Sequence, residues 1–291
     1  MSRGPGTAGT SDPSPWRRFL AAGIVPRVAV IVLGVPLVAW PAAHGGRPFA
    51  LLVGALVLLG SREFLLLLRA RGYQPLLAVG LLGAAAIWLG MTLGGLPGGA
   101  LGLTAAVLAV ALGELARPRP ERPLLRIGTT LFGLLYVAWL GSHLVLLRAG
   151  AGTPPRDGLA LLGLAAGMTW ACDIAAYLVG VAVGRHPLLP RVSPRKSREG
   201  AAGGLLAAVG LAWLASRTFA PFLATGTALA LGAAAGVAAQ AGDLLESLLK
   251  RDAGVKDSSA LLPGHGGVLD RFDSLLLVAP LVYYAARCGW L

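Results

Sequence analysis

Nine stretches of mostly apolar residues, each close to 20 residues long, run along the chain at about 24–43, 48–68, 74–95, 98–116, 124–147, 158–184, 201–219, 221–246 and 274–290. A helix of about 20 apolar residues spans the hydrocarbon of a bilayer. The pattern therefore predicts an all-α polytopic membrane protein with about nine transmembrane helices. Only Ala220-Pro221 separates the seventh run from the eighth, which makes that boundary the least distinct. Glycine and alanine recur throughout the runs, as close helix–helix approach in lipid requires.

Composition agrees with this reading. Of the 291 residues 56% are hydrophobic and only 13% charged, with a mean hydropathy of +0.72; a soluble domain carries about 25% charge. The formal net charge of +12 would suggest nucleic acid in a soluble protein. Here the basic residues sit in small groups between apolar runs, as membrane topology requires, and nucleic acid is set aside as a partner. With the N-terminus inside and nine crossings, the cytoplasmic segments hold 20 of the 25 Lys and Arg and the outer segments 5. That asymmetry predicts an N-in, C-out topology with the active site at the cytoplasmic side.

Met1–Pro15 is rich in Gly, Ser, Thr and Pro and reads as a disordered tail. Trp16-Arg17-Arg18-Phe19 reads as an interfacial anchor rather than a signal n-region. The expected organisation is a tail and anchor over 1–23, N-terminal helices over 24–156 and a C-terminal catalytic region over 157–291. Cys172 and Cys288 lie far apart in apolar runs and read as small packing residues.

The thirteen acids are scarce, and six of them, Asp243, Glu246, Asp252, Asp257, Asp270 and Asp273, fall within 31 residues. Ionisable residues at membrane depth are costly and point to function. Asp243, Glu246, Ser247 and Lys250 are spaced i, i+3, i+4 and i+7, one face of a helix. Asp270 and Asp273 form a second i, i+3 pair. Two acidic pairs from separate segments suit a hard cation such as Mg²⁺, and the set leaves room for a second cation. Between them, the glycine-rich turn Pro263-Gly264-His265-Gly266-Gly267 offers bare backbone N–H groups to phosphate. Asp252 alone reads as solvated.

The basic residues sharpen the picture. The chain has 22 arginines and three lysines, Lys196, Lys250 and Lys256, each beside a candidate motif. A lysine kept against such a bias suggests a need for a compact ammonium, as at phosphate sites. Upstream, Asp173, Tyr177, Gly180 and Gly184 line one stripe of the sixth run, with Asp173 near mid-membrane. The loop Ser193-Pro194-Arg195-Lys196-Ser197-Arg198-Glu199-Gly200 follows. Glu63 in the second run reads as a salt-bridge partner of Arg62 or Arg69, and His44, His143 and His186 as isolated packing or interfacial residues.

These residues resemble phosphatidate cytidylyltransferase, also called CDP-diacylglycerol synthase. The signature of that family is matched over 247–273 by Ser247, Lys250, Arg251, Lys256, Asp257, Pro263, His265, Gly266, Gly267, Asp270, Arg271 and Asp273. The upstream loop is similar to the Ser-Pro-Lys-Lys-Thr-x-Glu-Gly loop of the family, with Arg195 for the first Lys and Ser197 for Thr. The resemblance implies that CTP and phosphatidic acid give CDP-diacylglycerol and pyrophosphate, with Mg²⁺ as cofactor and phospholipid synthesis as the context. It implies Asp243 and Asp270 as leading metal ligands, supported by Glu246, Asp257 and Asp273. It also implies phosphate contacts from Lys250, Arg251, Lys256 and His265. Asp173, Ser193, Lys196, Ser247, Gly266, Gly267 and Arg271 would complete the substrate pocket. The expected setting is a lipid bilayer, a bacterial cell membrane by the Arg, Ala and Gly bias, with room for a homodimer. The rivals are a CTP-dependent kinase of a polyprenol or other lipid alcohol and an ion-coupled transporter.

Overall fold

In the computed structural model each apolar run is helical. Residues 24–119, 121–151, 157–255, 258–259, 261 and 266–290 are described, with the backbone alone for 24–31. The expected tail and the Trp16–Phe19 anchor lie outside them. The helices are α1 (Ile24–His44), α2 (Gly46–Ala70), α3 (Leu77–Leu115), α4 (Pro123–Arg148), α5 (Gly158–Val183), α6 (Arg198–Arg217), α7 (Thr225–Asp252) and α8 (Asp273–Arg287). Among the described residues, α2 to α7 are the six long and apolar enough to cross a membrane.

The 39 residues of α3 are not one straight rod. Gly95 has φ 61° and ψ −152°, outside helical space, and glycine alone adopts such a conformation without strain. Beyond it the chain folds back. A Cβ on Gly90 would collide with the Gly98 carbonyl, one on Gly102 with the Ala86 carbonyl, and one on Gly83 would lie 2.9 Å from Ala106 Cβ. These pairings run antiparallel, so α3 is a helical hairpin whose arms correspond to the runs at 74–95 and 98–116. Within α4, Leu134–Trp139 widens into a π-helical turn. The runs at 201–219 and 221–246 form separate helices, α6 and α7.

Small residues bring α5, α6, α7 and α8 together. Gly200 lies against the Ala176 carbonyl, Gly204 against the Cys172 carbonyl and Gly232 against Val209 Cα, leaving no room for side chains at these crossings. Ala165, Met168, Ala208, Ala212, Ala235, Ala239 and Val278 are fully buried among them. Cys172 is buried in this core, as the sequence led us to expect. Outward-facing leucines such as Leu93 (84% exposed) and Leu82 (72%) cover the surface, a distribution suited to lipid and foreign to a soluble monomer.

One element departs from an all-α architecture. Pro187–Leu189 (β1) pairs antiparallel with Ser193–Ser197 (β2) in the α5–α6 connection. No hydrophobic alternation marks these strands. They form because the tight α5–α6 packing brings the helix ends together, so the short connection must double back on itself. Ser197 then caps α6, its Oγ accepting from the Gly200 N–H at 3.1 Å.

Candidate active site

The candidate site is built where α7 and α8 cross. Gly242 lies 3.0 Å from the Asp273 carbonyl, measured from the Cβ it lacks. This close approach sets the first residue of α8 beside the polar face of α7. On that face Lys250 Nζ donates to Glu246 Oε2 at 2.9 Å and to Asp270 Oδ1 at 2.8 Å. The three side chains are 15%, 4% and 5% exposed. Removing one partner from such a buried set costs about 3–5 kcal/mol, because the remaining charge is stranded.

Asp270 is the most heavily committed of these acids. Its Oδ2 accepts from the Gly267 N–H at 2.7 Å, the Ser258 N–H at 3.1 Å and the Ser258 hydroxyl at 3.1 Å, while Oδ1 takes Lys250. Burial alone would push its carboxyl up; the hydrogen bonds from Lys250 and the Gly267 N–H outweigh burial and hold it at about 2. The Ser258 hydroxyl also faces Glu63 Oε2 at 3.3 Å.

Glu63 itself is only 2% exposed. It accepts from the Ser259 hydroxyl at 2.6 Å and from the Val268 and Leu269 N–H groups at 3.0 and 2.8 Å. The expected ion pair with Arg62 or Arg69 is thus replaced by a clasp on the signature loop some 200 residues downstream. Local arginines were the simplest partners on sequence grounds, but both lie exposed while the carboxylate turns inward. Its position in an apolar run was the only signal available. The clasp also explains Gly267: a Cβ there would collide with Ser258 Oγ and stand 2.7 Å from Glu63 Oε2. Gly266 has φ 80°.

The upstream segment joins the same site. Lys196, on β2, forms an ion pair with Asp243, both about one-third exposed. Gly180 on α5 and Gly184 just after it pack against Ser197 Oγ, which holds β2 beside α7. Asp173 is exposed on α5 within electrostatic reach of Asp243, Asp273 and Lys196. Ser193 is half-buried at the start of β2, and Ser247 Oγ lies 3.5 Å from Asp243 Oδ1. Arg251 and Arg271 are exposed. Lys256, Asp257, Pro263, Gly264 and His265 lie outside the described residues.

Glu246 stands against the carboxyls of Asp273 and Asp270, yet its Oε1 is buried without a hydrogen-bond partner among the described residues. Lys250 bridges Glu246 to Asp270, whereas two facing carboxylates such as Glu246 and Asp273 offer each other no donor unless a proton or a cation lies between them. Among the described residues no three His, Cys, Asp or Glu are gathered closely enough to hold an ion unaided. Mg²⁺ asks for less, since it is commonly held by one or two carboxylates together with substrate phosphates and water. The oxygen donors and the unpaired Oε1 fit such an ion.

Tyr136, on the π-helical turn of α4, is a further site neighbour that the sequence did not reveal. It is 3% exposed, its hydroxyl has no hydrogen-bond partner among the described residues, and Glu246, Asp273 and Asp243 lie within electrostatic reach. A π-turn re-aims a side chain and leaves no local mark in composition. Of the histidines, His186 pairs with Glu199 at 2.5 Å and so is not isolated. His143 is buried on the Trp139 carbonyl at 2.8 Å. Asp252 is exposed and accepts from the Tyr73 hydroxyl at 2.7 Å.

Comparison with known proteins places this geometry in a family. The profile of the Cytidylyltransferase family matches residues 25–288. A phosphatidate cytidylyltransferase of Synechocystis sp. is 35% identical over 290 residues, covering 89% of this chain and 94% of that protein. One of Pseudomonas aeruginosa is 39% identical over 257 residues, covering 84% and 90%. One of Mycobacterium bovis is 31% identical over 292 residues, covering 94% and 90%. With its acids, lysines and glycine-tightened loop drawn together from three separate segments and its sequence matched from one end of the helical array to the other, this chain belongs to the cytidylyltransferase family.

Proposed function

We propose that the chain is a phosphatidate cytidylyltransferase: a phosphate oxygen of phosphatidic acid attacks the α-phosphorus of CTP, the bond to the bridging oxygen breaks, and pyrophosphate leaves with its electron pair. The product is CDP-diacylglycerol. The observation that carries the reading is the convergence of Lys196–Asp243 and Lys250–Asp270 on one cluster, in a chain matched along its length by relatives of that name.

The nucleophile is already an anion, so no serine or cysteine need be activated. The work of the protein is to hold two polyanions together and to stabilise the charge that builds on the leaving group. Lys196 and Lys250 supply compact positive charge on either side of the acid face. Arg251 and Arg271 are exposed beside it and would meet the triphosphate, with Lys256 and His265 completing the phosphate contacts. Gly266 would let backbone approach phosphate, while Gly267, its N–H held by Asp270, would shape the loop that lines the substrate pocket. Asp173, Ser193 and Ser247 would form the pocket wall.

Mg²⁺ would be held by one or two carboxylates from the set Asp243, Asp273 and Glu246 together with substrate phosphates and water, with Asp257 close in sequence; bound there it would neutralise phosphate charge. Asp270 would join only by releasing Lys250, and otherwise fixes the loop. Nine crossings, counting both arms of α3 with α1 and α8, would put the site on the cytoplasmic side of a bacterial cell membrane, where CTP is available. The assay is direct: purified protein, CTP, phosphatidic acid and Mg²⁺ should release pyrophosphate, and a chelator should stop it. No pyrophosphate under these conditions would overturn the reading.

A further inference from the structure

Away from the acid cluster, the ends of α2, α3 and α4 line an open cavity of about 510 Å³ whose walls include Arg69, Gln74, Arg117 and Arg126. It shares no lining residue with the site described above. One wall is the start of α3, Leu77–Val79. That helix begins with no side-chain cap and no acid in its first turn. The first N–H groups of a helix have no partner inside it, and the helix dipole adds positive potential at that end.

Arg126 adds a buried cation with donor capacity to spare. It is 7% exposed, yet its Nε makes no hydrogen bond among the described residues. Its nearest acid oxygen, Glu114 Oε2, stands 3.6 Å away, and its Nη2 reaches Gln74 Oε1 only at 3.5 Å. Three guanidiniums and no carboxylate line the cavity among the described residues, with Glu114 set against Arg126 alone, so the cavity is positive. A planar guanidinium fork matches the oxygens of a phosphate, and uncapped helix amides do the same. The volume lies within the range of about 300–1,000 Å³ usual for small-ligand pockets.

We propose that this cavity binds an anionic phosphate group, either a phospholipid headgroup or free phosphate. The ligand sits between the guanidiniums of Arg69 and Arg117, with Arg126 behind it and the α3 amides beneath. Its binding braces the α2–α3 connection, which holds the carboxyl end of α7 through the Tyr73–Asp252 hydrogen bond.

The test is thermal unfolding of the purified full-length chain in uncharged detergent at matched ionic strength. One arm titrates inorganic phosphate, the other phosphatidylglycerol against phosphatidylcholine. Arg69 and Arg117 are exposed, so Arg69→Gln with Arg117→Gln should leave the fold intact, while Arg126 is kept for its contact with Glu114. Arg62→Gln with Arg119→Gln removes equal charge outside the cavity. Wild type and this control should be stabilised, and the cavity variant should need about tenfold more ligand, the loss expected when hydrogen bonds to a charged group disappear. Stabilisation by inorganic phosphate identifies free phosphate as sufficient; stabilisation by phosphatidylglycerol alone identifies the headgroup. No stabilisation of wild type in either arm, or equal responses of the two double variants, would overturn the proposal.

Discussion

Glu63 shows how far a single buried carboxylate can organise a distant loop. Its four acceptor contacts tie α2 to Ser258, Ser259, Val268 and Leu269, and through Ser258 to Asp270. Glu63→Gln keeps the volume but turns an NH₂ toward donors, and each hydrogen bond lost to a charged group costs about 1.5–3 kcal/mol. Loosening of the loop should raise the KM for CTP about tenfold or more with a smaller change in kcat, and hydrogen exchange at Val268 and Leu269 should speed up. An unchanged KM together with unchanged exchange would contradict the clasp. Asp243 and Asp270 should part company in a second measurement. Asp243→Asn should raise the Mg²⁺ concentration needed for half activity, whereas Asp270→Asn should lower turnover with little change in that concentration. The depressed pKa of Asp270 adds a sign: its stabilising contribution is complete above the ordinary carboxyl value and fades only as pH falls through about 2. Any acid limb in the rate profile above about pH 4 therefore belongs to another group. Equal metal responses in the two variants would return Asp270 to the metal.

At the scale of elements, helical periodicity revealed the Asp243, Glu246, Ser247 and Lys250 face, and the glycine spacing of α5 predicted a close neighbour, which is α6. What it could not reveal were features defined by partners: the β-hairpin, imposed by helices that bring its ends together, and the π-helical turn that aims Tyr136 at the acids. The close crossing of α5 and α6 invites a test. A Cβ on Gly200 would collide with the Ala176 carbonyl and stand 3.0 Å from Ser197 Oγ. Gly200→Leu should force the helices apart, displace β2 and break the Lys196–Asp243 pair. Activity should fall at least about tenfold, in line with the 1–3 kcal/mol typical of overpacking, while Gly210→Leu, where a Cβ meets nothing within 4 Å, should be silent. Equal tolerance of both substitutions would show that the crossing does not position the loop.

For the whole molecule, the run lengths and the sparse charge made the membrane character plain, and the signature spacing pointed to the candidate residues, of which Glu246, Lys250 and Asp270 meet in the fold. The distance between Glu63 and the loop it clasps was invisible, because sequence separation carries no information about which helix ends meet. The 20 to 5 charge split predicts that a reporter active only in the cytoplasm gives signal when fused after Arg195 and none after Gly152; the reverse pattern would reject the orientation. The central claim is the reaction itself, and one experiment addresses it most directly. CTP labelled separately at the α- and the γ-phosphate is incubated with the purified protein, phosphatidic acid and Mg²⁺. The account predicts that α-label enters the lipid fraction while γ-label leaves in pyrophosphate, and that Lys250→Met abolishes both. Transfer of γ-label to a lipid alcohol with release of CDP would contradict it and identify a kinase instead.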